Sequence, residues 1–156
     1  IKGGKVIKPL KIASLPLIVG YSGIKFDTVR LIDEVAKKAK KYPATVDNVY
    51  TAIGKLVEQA KKALLKKDFV TLGELMNFNE GYLATLGVEG KKLADMIYAA
   101  REAGAYGAKL SGAGMGDCMI TLSPENKVSD VKKGITNAGG RIINLQTNVE
   151  GVKIES

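Results

Sequence analysis

The amino-acid sequence predicts a single α+β domain spanning residues 1–156, in which helices cover an antiparallel sheet. The chain is 46% hydrophobic over 156 residues, which provides enough apolar surface for one conventional core. Strand-like patterns lie near both ends of the chain, and four helical periodicities lie between them. Helices grouped together in this way are typical of α+β domains.

The first elements are two short strands and a helix. Residues 5–8, Lys-Val-Ile-Lys, form a short strand candidate, and residues 17–21 are typical of a buried strand; Pro9 and Pro16 bracket the turn between them. The apolar spacing then changes to that of a helix. We expect Asp27 or Thr28 to cap this helix and Pro43 to end it.

Three more helices follow directly. Their apolar stripes begin after Thr45, near Asp68 and at about Glu89, and Gly104 is placed to terminate the last of them. These helices form a segment inserted between the strands at the start of the chain and those near its end.

The last third of the chain returns to strands. Residues 108–110, 118–122 and 142–147 have strand patterns, and residues 129–137 form a short helix before the final strand. This order is compatible with a split βαβ, ferredoxin-like antiparallel sheet.

The composition excludes several classes of chemistry. The chain has no His, so it cannot by itself build a Ser-His-Asp triad, a Cys-His dyad or most zinc sites, and we expect no metal site in it. Its single cysteine, Cys118, permits no internal disulfide, which favours a cytoplasmic location. No stretch approaches the ~20 apolar residues needed to span a bilayer, so we expect a soluble protein with no membrane partner.

The net charge of +8 is unevenly distributed. Residues 1–67 carry +10 and residues 68–156 carry −2. A basic half can attract nucleic acid, but lysine outnumbers arginine 21 to 3 and aromatic residues are few, which weakens base recognition. We therefore interpret the lysines as solvated helix faces and expect no nucleic-acid partner.

One segment carries a chemical signal. Glycines at 112, 114 and 116 alternate between two strand-like stretches, more than a plain hairpin needs. Successive N–H groups in such a turn form a concave anion site, to which Ser111 and Lys109 could add a hydroxyl group and a positive charge. No helix follows, which excludes dinucleotide-binding and Walker A loops. The spacing alone leaves a structural hairpin and a ligand-facing loop equally open.

The same segment resembles a known signature. Residues 109–118, Lys-Leu-Ser-Gly-Ala-Gly-Met-Gly-Asp-Cys, resemble the third motif of the GHMP small-molecule kinases, usually Lys-Leu-Thr-Gly-Ala-Gly-Gly-Gly-Gly-Cys. Met115 and Asp117 stand where glycines are typical. Residues 15–25, Leu-Pro-Leu-Ile-Val-Gly-Tyr-Ser-Gly-Ile-Lys, are most similar to the opening of the C-terminal domain in archaeal mevalonate kinases. The resemblance covers essentially the whole chain and implies the fold of a GHMP kinase C-terminal domain.

The resemblance also implies a function. It places the ATP-binding loop, the Mg²⁺ carboxylate and the catalytic Asp of the family in an N-terminal half, whose motifs this sequence lacks. The chain is therefore expected to correspond to the C-terminal, substrate-side half, to contain no catalytic residue and to be inactive alone. With its N-terminal half as partner, ATP and Mg²⁺ as cofactors and mevalonate or a related small alcohol as substrate, the complete enzyme would serve isoprenoid biosynthesis.

Candidate site residues follow from the same resemblance. The glycine loop would lie beside the phosphates and the substrate, whereas Thr28, Lys25 and Lys109 are possible substrate-side residues. The loop residues concerned are Ser111, Gly112, Ala113, Gly114 and Gly116.

Alternatives remain open at the level of the sequence. The substrate could be that of another GHMP kinase of the phosphomevalonate, homoserine or galactose type. The chain could also be a non-catalytic, metabolite-binding ferredoxin-like module. A homodimer is possible.

Overall fold

The computed structural model describes residue 12 and residues 14–147 of the chain. Four strands, five α-helices and one short 3₁₀ helix follow one another in these residues: β1 (Leu17–Tyr21), α1 (Thr28–Lys41), α2 (Pro43–Lys66), α3 (Phe69–Leu86), α4 (Lys91–Glu102), β2 (Gly107–Ser111), β3 (Cys118–Leu122), the 3₁₀ helix (Glu125–Lys127), α5 (Val128–Asn137) and β4 (Arg141–Ile143). Among the helices described, none is long and apolar enough to cross a bilayer. The strand expected over residues 5–8 lies outside the described residues.

The sheet has the predicted ferredoxin-like topology. Its strand order is β2-β3-β1-β4, and every neighbouring pair is antiparallel. Helices α4 and α5 pack against one face of the sheet and against each other. The core between them consists of fully buried side chains from both layers, namely Leu93, Met96, Ile97, Leu110, Met119, Val131 and Ile135. The predicted α+β class is thus confirmed.

Two predicted boundaries are wrong. Pro43 begins α2 instead of only ending α1, and Tyr42 is the single residue between the two helices. Proline suits the first helical position because its missing N–H would have no partner there anyway. The final strand covers Arg141–Ile143 instead of residues 142–147. It ends before Asn144, a residue type that is depleted in strands.

Helix α3 lies along the free edge of β2. The backbones approach so closely at Gly73 and Gly107 that a Cβ atom on either residue would overlap the other chain segment. The Asn77 side chain accepts a hydrogen bond from the Ala108 N–H and donates one to the Tyr106 carbonyl. An exposed edge strand leaves backbone N–H and carbonyl groups without partners. Helix α3 supplies hydrogen-bond partners to such groups at the β2 edge, as a further strand would.

Candidate functional site

The glycine loop, residues 112–117, connects β2 to β3 and is anchored on two sides. The Met115 N–H donates to the Val88 carbonyl at 2.7 Å, which ties the loop to the segment before α4. The Asp117 N–H donates to the Ile24 carbonyl at 2.7 Å, and the Asp117 carbonyl accepts from the Ser22 N–H at 2.8 Å. The loop is therefore held between the turn that precedes α1 and the turn that precedes α4.

The backbone of this loop explains its composition. Gly112 and Gly114 have φ angles of 93° and 104°, and Met115 and Asp117 both have φ of 59°. All four residues lie in the left-handed region, which glycine enters without steric cost. At Gly114 a side chain would also overlap the Val88 carbonyl. Met115 and Asp117 therefore occupy strained positions, which accounts for the glycines usual there in the family the sequence resembles.

Part of the loop backbone is available to a ligand. The N–H groups of Met115 and Asp117 point inward to the anchors. The N–H groups of Gly112, Ala113, Gly114 and Gly116 make no hydrogen bond with any described residue. Gly114 and Gly116 are buried, whereas Gly112 is exposed and Ala113 is half-buried. Of the concave anion site expected from sequence, the structure thus leaves the Gly112 and Ala113 N–H groups within reach of a ligand.

The loop borders an apolar pocket of about 560 Å³. Ala113 from the loop and Thr28 from the start of α1 both line it. The remaining lining is mainly apolar and comes from α1, α2 and the segment before α4: Leu31, Ile32, Val35, Ala36, Tyr50 and Val88. This volume lies within the range of small-molecule sites. The fold therefore brings together Thr28 and Ala113, two residues singled out in the sequence that lie 85 positions apart.

Thr28 is free for a role other than capping. Asp27 is the N-cap of α1, and its carboxylate accepts hydrogen bonds from the Val29 and Arg30 N–H groups at 2.9 and 3.3 Å. Within the described residues the Thr28 hydroxyl group has no hydrogen-bond partner, although Thr28 lines the pocket. Its position is consistent with the substrate-side role expected from sequence.

The two candidate lysines lie elsewhere. Lys25 is exposed and does not line the pocket. Lys109 lines a separate groove of about 210 Å³ between α2 and α3, where its ammonium group donates to the Leu110 carbonyl. Burial lowers the pKa of Lys109, and the charge of Glu80 opposes this effect. Ser111 is the last residue of β2 and pairs with Cys118 on β3, at the entrance to the loop.

A buried carboxyl group lies beside the stem of the loop, and sequence reasoning missed it. Glu80 on α3 is 2% exposed, and its Oε2 atom accepts a hydrogen bond from the Leu110 N–H at 2.7 Å. Burial raises the pKa of Glu80 to about 7, and the neighbouring Glu89 adds to the increase. The hydrogen bond from Leu110 and the charge of Lys109 oppose it. The only sequence signal was the spacing of Gly73, Asn77 and Glu80 on one helical stripe.

No metal site is formed by the part of the chain that the structure describes. Over residues 14–147, no three His, Cys, Asp or Glu side chains group so that they could hold a metal ion. The Cys118 thiol has a raised pKa, because it is partly buried and lies near Asp117. A raised pKa disfavours the reactive thiolate at neutral pH.

Comparison with known families identifies the fold. The family model described as "GHMP kinases C terminal" matches residues 60–141, which is more than half of the chain. The chain belongs to the GHMP kinase C-terminal family. In this GHMP kinase C-terminal domain the matched region runs from α2 through the glycine loop to β4, so it includes both the loop and the segments that anchor it before α4.

Individual relatives agree with the family. The GHMP domain is 44% identical over 153 residues to a mevalonate kinase of Thermococcus gammatolerans, covering 95% of this chain and 46% of that protein. It is 43% identical over 159 residues to a mevalonate kinase of Pyrococcus horikoshii, covering 99% and 47%. A crystal structure of L. major mevalonate kinase with R-mevalonate superposes with a TM-score of 0.81 and 31% identity, covering 85% of this chain and 41% of that one. The chain thus spans a little under half the length of these relatives.

Proposed function

We propose that this chain is the substrate-side domain of an ATP-dependent mevalonate kinase, which transfers the γ-phosphoryl group of ATP to the terminal hydroxyl group of mevalonate. The observation that carries the proposal is the shared pocket: the tip of the glycine loop and Thr28 meet at one apolar cavity. The 44% identity to an archaeal mevalonate kinase supports this choice of substrate within the family.

The pocket suits a small alcohol that becomes phosphorylated. The Gly112 and Ala113 N–H groups at the tip of the loop are donors for phosphate oxygens, which carry the charge that phosphoryl transfer must stabilise. The apolar wall formed by α1 suits the hydrocarbon part of mevalonate, and the Thr28 hydroxyl group adds one oriented hydrogen bond. In this proposal the Mg²⁺ ligands and the catalytic carboxylate come from the N-terminal half of the complete enzyme, whose motifs this sequence lacks.

The experiment is a chimera in which the N-terminal half of the Thermococcus gammatolerans enzyme is joined to this chain. ADP release is measured with mevalonate, phosphomevalonate, homoserine and galactose as alternative acceptors. We expect turnover with mevalonate only. Turnover with another acceptor in its place would overturn the substrate, and a folded chimera that phosphorylates none of them would overturn the assignment.

A matched pair of variants tests the pocket. Thr28→Val keeps the shape and removes the hydroxyl group, so we expect kcat/KM for mevalonate to fall roughly tenfold, because one neutral hydrogen bond is lost. Thr28→Ser restores the hydroxyl group and should retain most of the activity. Thr51→Val, at an exposed threonine of α2, is the control and should leave kcat/KM unchanged. Equal activity of the Val and Ser variants at position 28 would remove Thr28 from the site.

A further inference from the structure

The outer edge of β2 faces no further strand, because β2 is the first strand in the order of the sheet. Side chains occupy this edge instead and bond three carbonyl groups and two N–H groups of the strand and of the residue before it. Asn77 pairs with the Tyr106 carbonyl and the Ala108 N–H, Arg101 with the Ala108 carbonyl, Glu80 with the Leu110 N–H and Lys109 with the Leu110 carbonyl. These four side chains therefore hold the edge as a neighbouring strand would.

Glu80 holds the end of this edge that is nearest to the glycine loop. Its Oε2 atom accepts the hydrogen bond from the Leu110 N–H at 2.7 Å, and Leu110 lies two residues before Gly112. The side chain is 2% exposed, and its Oε1 atom has no hydrogen-bond partner among the described residues. A buried carboxyl group with one unsatisfied oxygen is costly for stability. Exceptions of this kind are expected mainly at functional sites.

The accessible part of the glycine loop depends on this strand for its position. The later part of the loop has its own anchors at the Val88 and Ile24 carbonyls. The Gly112 and Ala113 N–H groups make no hydrogen bond with the described part of the chain. Apart from its chain neighbours, nothing lies within 4 Å of the position that a Cβ of Gly112 would take. The backbone that leads into Gly112 therefore determines where these two N–H groups point.

Helix α3 reaches the loop at two places. Glu80 bonds the strand that enters the loop, and the Val88 carbonyl, which follows the end of the helix, accepts from the Met115 N–H at 2.7 Å. The helix also lies directly on β2 where Gly73 and Gly107 meet. Because one helix supports both the stem and the anchor, the Glu80 contact sets the stem relative to the anchored part of the loop.

We propose that Glu80 is a positioning residue for phosphoryl transfer. By accepting the hydrogen bond from the Leu110 N–H it fixes the end of β2, and it thereby keeps the Gly112 and Ala113 N–H groups directed at the phosphate oxygens of the nucleotide. This role rests on the function proposed above. Phosphoryl transfer depends mainly on positioning and on preorganised charge stabilisation, so a small shift of these two donors weakens the reaction although Glu80 itself is buried under the loop stem.

The first experiment uses amide NMR spectroscopy on the full chain with three variants. Glu80→Met removes the acceptor at a similar side-chain length. Glu80→Gln keeps an oxygen for the Leu110 N–H, so it should rescue the contact. Glu74→Met, at an exposed position of the same helix, is the matched control.

We expect Glu80→Met to change both the strand and the loop. Amide exchange at Leu110 should become roughly tenfold faster relative to Ala108, whose N–H is bonded to another side chain of the same helix. The Gly112 and Ala113 amide resonances should shift, because the stem before them has lost its support. Glu80→Gln and the exposed control should resemble the parent.

Two NMR results would overturn the proposal. One is a folded Glu80→Met variant in which the Gly112 and Ala113 resonances do not move, and the other is a shift of the same size in Glu80→Gln. Should Glu80→Met fail to fold, amide exchange in the parent decides, because a Leu110 amide that exchanges as fast as the exposed Gly112 amide contradicts a contact that holds the strand.

The second experiment measures steady-state kinetics of the same variants in the chimera. We expect Glu80→Met to raise KM for ATP roughly fivefold and to leave KM for mevalonate within about twofold, because the α1 wall contributes most of the mevalonate pocket. Glu80→Gln should restore KM for ATP, and Glu74→Met should follow the parent. A merely structural loss would lower kcat through the amount of folded enzyme and leave both KM values unchanged, and this result would overturn the positioning role.

The two experiments separate this proposal from the function on which it rests. A folded chimera without kinase activity would refute the proposed function, whereas the NMR comparison would still confirm or overturn the hold of Glu80 on the loop.

Discussion

At Met115 we expect glycine to be more stable than alanine, which is the reverse of the order in a helix. The Met115 φ of 59° lies in the left-handed region, where a residue with a Cβ atom costs about 1–2 kcal/mol. Glycine avoids this cost but loses about 0.5–1 kcal/mol more backbone entropy on folding. We therefore expect Met115→Gly to be more stable than Met115→Ala by about 0.5–1 kcal/mol. Because both variants lose every atom of the partly buried side chain beyond Cβ, the difference between them reports mainly on the backbone.

The control is the same pair of residue types on a helix. Gly54 in α2 is exposed, and nothing lies within 4 Å of the position that its Cβ would take. There alanine should be the more stable residue, and Gly54→Ala should gain about 1 kcal/mol. The assay is urea unfolding followed by circular dichroism, with free energies of unfolding compared within each pair. If the alanine variant had the higher free energy of unfolding at position 115, as is expected at position 54, the left-handed strain assigned to this loop would be refuted.

Three further predictions concern groups that the tertiary structure places. Burial raises the pKa of Glu80 to about 7, so the folded state keeps a proton that the unfolded state releases near pH 4.5. The free energy of unfolding should therefore fall between pH 4.5 and 7, by about 3 kcal/mol, and level off above. Urea midpoints that do not fall between pH 5 and 7, or that fall equally in Glu80→Gln, would contradict this. Asn77→Leu leaves the Ala108 N–H and the Tyr106 carbonyl unpaired and should cost about 1–3 kcal/mol of unfolding free energy in the same assay, and a loss near zero would count against the edge role of α3. Lys38→Met removes the ammonium group that donates to the Leu86 carbonyl at 2.6 Å, at the end of α3, and should lower stability by about 1 kcal/mol, whereas the exposed Lys37→Met should not.

The lysines of α1 show what a local sequence pattern can and cannot predict. The sequence indicated that the lysines of the first helix form a solvated face, and Lys37 and Lys40 are indeed exposed. Lys38 is half-buried, and its ammonium group is bonded to a carbonyl 48 positions away. Periodicity places a side chain on one face of a helix, but it does not tell which other helix end that face will meet.

Features whose causes lie within a few residues could be predicted from the sequence. The bounds of β1 and β3 and the N-cap of α3 at Asp68 follow from hydrophobic runs and capping groups, which act locally. The glycine spacing likewise predicted an unusual backbone at residues 112–117, and the φ angles confirm it.

The contacts of that loop depend on the packing of distant segments. This packing placed Ala113 beside Thr28 in one pocket and turned the Met115 and Asp117 N–H groups inward. It also buried Glu80, whose partner at Leu110 is 30 positions away. An isolated glutamate in a helix is expected at the surface, and it is buried here because α3 lies on the open edge of β2, where a backbone N–H needs an acceptor. Such a need arises only when distant segments meet, so the spacing of Glu80 with Gly73 and Asn77 on one helical stripe could not by itself predict that the carboxyl group is buried.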